Sequence, residues 1–208
     1  MDENTNVSKQ EIIDEIIKNR GFYGTNGVWN SIITFPGDNK LYRERVETII
    51  VRNRKEVFLK KKPSGEYFLP GGSTEKDLPD IQQAINECRE EARINVCRIE
   101  STGITYKEPH KTPLWVKKEG LIEWQGSVTT VYIAEYDGMY HGNVDEEDKD
   151  PFILSGKWYS TKECFKFFRK EHRDALLQYL KNTEIANTDN LVTESYITNY
   201  FKNLRLLK

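Results

Sequence analysis

Tyr67-Phe68-Leu69-Pro70-Gly71-Gly72, with Glu87-Cys88-Arg89-Glu90-Glu91 beginning fifteen residues after Gly72, is the stretch on which the reading of this 208-residue chain turns. Residues 81–93 have the pattern of a helix. There Glu87, Glu90 and Glu91 stand at i, i+3 and i+4 and share one face. Three carboxylates side by side repel one another and stabilise nothing unless a cation sits among them. Hard cations such as Mg²⁺ or Mn²⁺ take carboxylate oxygens and hold phosphate oxygens on their far side. The glycine pair lets the preceding loop turn tightly and leaves backbone N–H groups open to a phosphate. A charged helix face is ordinarily solvated surface, here partly neutralised by Arg89 and Arg93. The aromatic-Leu-Pro-Gly-Gly approach is what makes the combination specific.

The segment resembles the signature box of the Nudix hydrolase superfamily: Gly, five residues, Glu, seven residues, then Arg-Glu-apolar-any-Glu-Glu-any-Gly-apolar. With Gly72 as the first position, Glu87, Glu90 and Glu91 fall on the three helical glutamates, Cys88 on the apolar position and Ile94 on the last. Phe68-Leu69-Pro70-Gly71 is similar to the family's aromatic-apolar-Pro-Gly approach, and Glu75 matches an acid often found in the loop. The strand order extends the likeness over 45–165. Three positions depart from the box: Leu78 replaces its first Glu, Asn86 its Arg, and Arg93 its closing Gly. In the family that Glu and Arg order the loop–helix unit. Losing both together costs less than stranding one partially buried charge, and Leu78 with Asn86 reads as such a paired loss. Arg93 is a poor left-handed residue, so the helix is expected to close one or two residues later, with Asn95 as the left-handed position.

The resemblance implies an α/β/α sandwich around a mixed sheet and hydrolysis of a nucleoside diphosphate linked to another moiety, at its pyrophosphate bond. It implies Mg²⁺ or Mn²⁺ held by Glu87, Glu90 and Glu91, with Glu90 or Glu91 as direct ligand and Glu87 in an inner or water-bridged role. Such enzymes often bring another acid from a late loop as base or ligand; in Asp145-Glu146-Glu147-Asp148 the choice falls on Glu147. On the substrate side stand Gly71, Gly72, Phe68, Lys60 (with Lys61 and Lys62 beside the turn) and His110, in a segment long enough to form a flap. Two other readings belong beside this one. The domain is a catalytically inactive nucleotide sensor or interaction module that lost the missing box residues, or it acts on RNA ends, as Lys60–Lys62 and the tryptophans Trp115 and Trp124 suggest.

Outward from this stretch the chain reads as α+β. Residues 8–20 form an expected helix, with Ser8 and Glu11 at capping-box spacing and Ile12, Ile13, Ile16 and Ile17 as its stripe. Residues 22–44 are mixed, with turn signals. Strands are expected at 45–51, 57–59, 67–69, 96–106, 127–136 and 152–159, and helices at 161–168, 171–181 and 193–207. The expected organisation is an extension at 1–44 packed on the core, a Nudix-like domain at 45–165, and C-terminal helices at 166–208 within the same globule. The added helices are candidate homodimer surfaces.

Charge and length restrict the alternatives. With 31 basic and 33 acidic residues the chain carries a formal charge of −2, which argues against a dedicated DNA binder. No run of apolar residues is long enough for a membrane-spanning helix. Met1-Asp2-Glu3-Asn4 lacks the basic and apolar pattern of a secretory signal. Cys88, Cys97 and Cys164 fit neither a zinc pattern nor a closed disulfide set, so a reducing cytoplasm is expected, with each cysteine a buried small hydrophobe.

Overall fold

Two apolar, β-branched runs at 46–51 and 128–133 organise the sheet. They lie in β3 (Asp38–Arg52) and β10 (Trp124–Tyr140), which pair in parallel with Thr48 opposite Tyr132 and Ile50 opposite Ala134. A parallel pair is covered on both faces, so its strands carry near-continuous apolar runs rather than a clean alternation. The computed structural model describes residues 11, 14, 18, 21–23, 29–35, 38–62, 64–109, 114–116, 120–122, 124–140 and 156–185.

Around this pair the other described strands are antiparallel. β1 (Gly21–Tyr23), β2 (Trp29–Phe35) and β7 (Ile94–Pro109) complete the order β1-β2-β3-β10-β7. β4 (Glu56–Lys61) pairs with β3, with β5 (Tyr67–Phe68) and with β11 (Lys157–Ser160), while β6 (Gly71–Ser73) pairs with β3. The nine strands form one mixed sheet, and β8 (Leu114–Val116) with β9 (Gly120–Ile122) makes a separate hairpin.

The two faces of β3 look onto different helices. Val46 packs with Ala84 and Tyr132, and Ile50 with Phe58, Cys88, Ala92 and Ile94, under α1 (Asp80–Ala92). Ile49 and Val51 join Val57, Leu59, Val131 and Ile133 beneath α2 (Thr161–Phe167) and α3 (Lys170–Ile185), which contribute Cys164, Phe165, Ala175, Leu176 and Leu180. Full burial of each large aliphatic side chain stabilises by about 1.5–3 kcal/mol. The result is an α+β sandwich with helices on both faces of a mixed sheet. Ser160 and Glu163 start α2 with a reciprocal capping box.

Several expectations are corrected. Residues 21–23 and 29–35, within a stretch expected to be mixed with turn signals, are paired strands. Gly71-Gly72-Ser73 is itself a strand, opposite Arg45–Glu47, rather than a turn-making loop. Helix α1 closes at Arg93, not at Asn95: Arg93 takes the left-handed conformation (φ 55°, ψ 35°) and donates its N–H to the carbonyls of Arg89 and Cys88. Cys88 and Cys164 are buried free thiols, as expected, but Cys97 is exposed. Positions 11, 14 and 18 of the first expected helix are helical. The rest of that helix and the expected helix at 193–207 lie outside the described residues. β3 runs without interruption across position 44, and α3 contributes directly to the sheet's core. Among the described residues no helix is long and apolar enough to cross a membrane.

Candidate functional site

Small side chains bring α1 close to the sheet. Its buried residues are Gln83, Ala84, Glu87, Cys88 and Ala92, and Ala84, Cys88 and Ala92 recur every four residues along the contacting stripe. Asp80 in the first turn complements the positive end of the helix. The close approach carries Glu87 against β6. A Cβ on Gly72 would lie 1.9 Å from Glu87 Oε1, and one on Gly71 would lie 2.3 Å from the carbonyl oxygen of Val46. Neither glycine has a positive φ; Gly71 is required by the close approach of the Val46 backbone, whereas a side chain at 72 would meet only the end of the Glu87 side chain.

Glu87 is only 9% exposed. Gln83, one turn earlier, donates from Nε2 to Glu87 Oε1 at 2.8 Å. Burial pushes the Glu87 carboxyl up to about 7; the Gln83 hydrogen bond and the positive charge of Arg45 oppose this, while the charges of Glu91 and Glu90 add to it. The Gln83 Oε1 atom beside it is buried and has no hydrogen-bond partner among the described residues.

Glu91 is stabilised differently. Its Oε2 accepts the Gly71 N–H at 3.1 Å and lies 3.5 Å from Lys60 Nζ. The Lys60 side chain is 2% exposed, and its ammonium stands 4.8 Å from the centre of the Phe68 ring. Strand alternation places Lys60 on the same face of β4 as Phe58, toward α1, whereas Lys61 and Lys62 are exposed. Glu90 is exposed. Arg43 hydrogen-bonds Ser73, next along β6.

The sequence-selected residues therefore divide. Glu87, Glu91, Gly71, Gly72, Phe68 and Lys60 come together at the α1–β6–β4 junction, with Glu90 on the outer flank. Glu147 and His110 lie outside the described residues. Of the box departures, Asn86 accepts a hydrogen bond from Gln82 Nε2 at 3.0 Å, along its own helix. Sequence reading missed Gln83, although its place four residues before Glu87 puts it on the same helix face. It also missed a second polar cluster on the opposite face of β3. There Glu47 Oε2 accepts the Tyr106 hydroxyl at 2.5 Å and meets His172 Nε2 at 2.9 Å, while the Arg169 guanidinium lies 3.9 Å over the Tyr106 ring. Burial alone would raise the Glu47 carboxyl. The hydrogen bond and charge of His172, then Tyr106 and Arg45, outweigh it and hold the carboxyl below its ordinary value. Nothing in the spacing of these residues announces the cluster, because strand β3 supplies Glu47, strand β7 Tyr106, helix α3 His172 and the residue just before α3 Arg169.

The carboxylates supply hard oxygens of the kind divalent cations take, with the Lys60 ammonium standing at Glu91 as its counter-charge. Among the described residues, however, no three acidic, histidine or cysteine side chains are gathered closely enough to hold an ion by themselves.

No protein-family model matches the chain, and no curated protein matches it in sequence. Among solved structures the chain is similar to a Nudix hydrolase from Nitrosomonas europaea, at 17% identity and a TM-score of 0.47, with 68% of this chain and 90% of that one covered. It is similar to the dihydroneopterin triphosphate pyrophosphohydrolase of E. coli at 13% identity, TM-score 0.47, covering 68% and 98%. The C. elegans Ap4A hydrolase aligns at 16% identity, TM-score 0.41, again covering 68% and 98%.

Proposed function

We propose that this chain is a divalent-metal-dependent hydrolase that cleaves the pyrophosphate bond of a nucleoside diphosphate linked to another moiety. The observation that carries the reading is the junction of a buried carboxyl, Glu87, with the Gly71–Gly72 strand and with Glu91 on the same helix. Glu87 is the candidate base that would take a proton from an attacking water. Gln83 holds the Glu87 carboxyl in orientation through Oε1. Glu90 and Glu91 are the residues that would hold Mg²⁺ or Mn²⁺, and Glu147 remains the candidate for a further acid. Bound there, such an ion would neutralise the charge that builds on the phosphate oxygens in the transition state. Phe68 stands on the substrate side of this junction; Lys60, expected there from the sequence, is instead buried behind it at 2% exposure against Glu91. The three free thiols fit a cytoplasmic setting.

A panel of nucleoside diphosphate derivatives, incubated with Mg²⁺ or Mn²⁺ and scored for released phosphate products, tests this. Product should appear only with the divalent ion, vanish with chelator, and fall sharply in kcat for Glu91→Gln while substrate binding weakens less. Turnover that survives Glu87→Gln, Glu90→Gln and Glu91→Gln combined overturns the mechanism. Nucleotide binding without cleavage of any substrate in the panel favours the sensor reading instead.

A further inference from the structure

We propose that Arg43 and Arg45, with the hydroxyls of Ser73 and Ser127, bind a phosphate group of a nucleotide on the face of β3 turned away from α1. The nucleotide rests on the functional reading above; the site adds residues of this chain that would hold its charge without help from any ion. Alternation along β3 puts Arg43 and Arg45 on the same face as Glu47 and Ile49. Register brings Ser127 of β10 opposite Arg43, and Ser73 of β6 opposite Arg45, onto that face. Arg43 Nη2 donates to Ser73 Oγ, which ties the first arginine to β6. Ser73 follows Gly72, the residue that meets Glu87, so this site adjoins the glutamate junction along one strand.

Two guanidinium groups side by side repel unless an anion stands between them. Burial, and then the charge of Arg45, holds the Arg43 guanidinium below its ordinary value. Among the described residues neither arginine has a carboxylate within ion-pair distance. The acids that share the face are committed elsewhere: Glu47 Oε2 takes the Tyr106 hydroxyl and meets His172, and Glu108, opposite Ser127, pairs with Arg169 at 3.5 Å. Beneath the arginines two donors are left over. Arg43 Nε and Ser127 Oγ are buried and have no hydrogen-bond partner among the described residues, and Ser127 is 1% exposed. Leaving buried donors unmade is costly, so such groups ordinarily mark a site that something else completes. Both arginines are half-buried, which keeps them within reach of solvent. A phosphate group supplies several acceptor oxygens and negative charge, and the planar guanidinium fork matches two of those oxygens at once.

Calorimetric titration of the whole chain in chelator, with ADP, adenosine and inorganic phosphate as separate probes, tests the site. ADP should bind more tightly than either of the others. Arg43→Gln and Arg45→Gln should each weaken ADP binding about tenfold, the size of one charge-assisted hydrogen bond. Ser127→Ala removes a buried hydroxyl that has no partner; it should be at least as stable as the parent and still bind ADP more weakly. Lys157→Gln, an exposed charge on β11, should leave the affinity unchanged. Equal ADP affinity in the parent, both arginine variants and Ser127→Ala overturns the site. So does a parent that binds no ADP in chelator, or one that binds adenosine as tightly as ADP. Inorganic phosphate bound as tightly as ADP overturns the assignment to a nucleotide. Binding that follows the arginines, with no substrate of the hydrolysis panel cleaved, upholds the site and overturns only the hydrolase reading. Should the arginine variants not fold, the parent still decides: the Arg43 and Arg45 Nε–H resonances should shift as ADP saturates, and resonances that stay in place overturn the proposal.

Discussion

Replacing Glu87 by Gln should change how stability depends on pH in the metal-free protein. The carboxyl is raised from 4.5 to about 7, primarily by burial, with the negative charges of Glu91 and Glu90 adding to it. A folded-state pKa above the unfolded one means that the folded chain holds its proton more tightly. The stabilisation is complete below about pH 4.5 and is lost as pH rises through about 7. Each pKa unit is worth about 1.4 kcal/mol, so ionising Glu87 costs the fold about 3 kcal/mol by pH 8. With the residue only 9% exposed, solvent screening removes little of this. Glutamine cannot ionise, and its amide oxygen can still accept the Gln83 Nε2 hydrogen bond. Denaturant titrations in chelator at a series of pH values should therefore show Glu87→Gln gaining on the parent between pH 4.5 and 7, then holding a constant lead. Stability curves that run parallel across that window, or a parent that gains on Glu87→Gln with rising pH, would refute the burial and charge reasoning for this carboxyl.

Three further outcomes can be checked directly. Gly71→Ala should destabilise more than Gly72→Ala, because its new Cβ meets a backbone carbonyl, that of Val46, whereas the Cβ at 72 meets the movable carboxylate of Glu87; overpacking of this kind costs about 1–3 kcal/mol, and denaturant midpoints measure the order. Arg93→Gly should raise stability by about 1 kcal/mol, since the helix closes there at φ 55° and glycine has no Cβ to strain in that conformation. A thiol reagent should label Cys97 alone in the native protein and reach Cys88 and Cys164 only on unfolding, because those two are buried and burial pushes their thiols up to about 12; rapid native labelling of all three would contradict the packing of α1 and α2.

What the sequence determines by itself is what depends on near neighbours. The α1 helix, the shared face of Glu87, Glu90 and Glu91, and the apolar runs of β3 and β10 follow from spacings of two, three and four residues, which backbone geometry converts directly into faces. Even locally the reading had limits: Arg93 holds a left-handed position that its side chain disfavours, because the two carbonyl partners at Arg89 and Cys88 and the packing of Ile94 keep the turn in place. Only the tertiary structure decides which distant residues share a site. Lys60 reaches Glu91 because it points to the face of β4 that α1 covers, and Gly72 meets Glu87 because β6 pairs with residues 45–47 while small residues let α1 approach. Glu47 finds Tyr106 and His172 through the register of β3, β10 and β7 and the docking of α3. Those placements are set by long-range strand pairing and by the fit of helices on the sheet, energies summed over many residues, so no single spacing along the chain carries them.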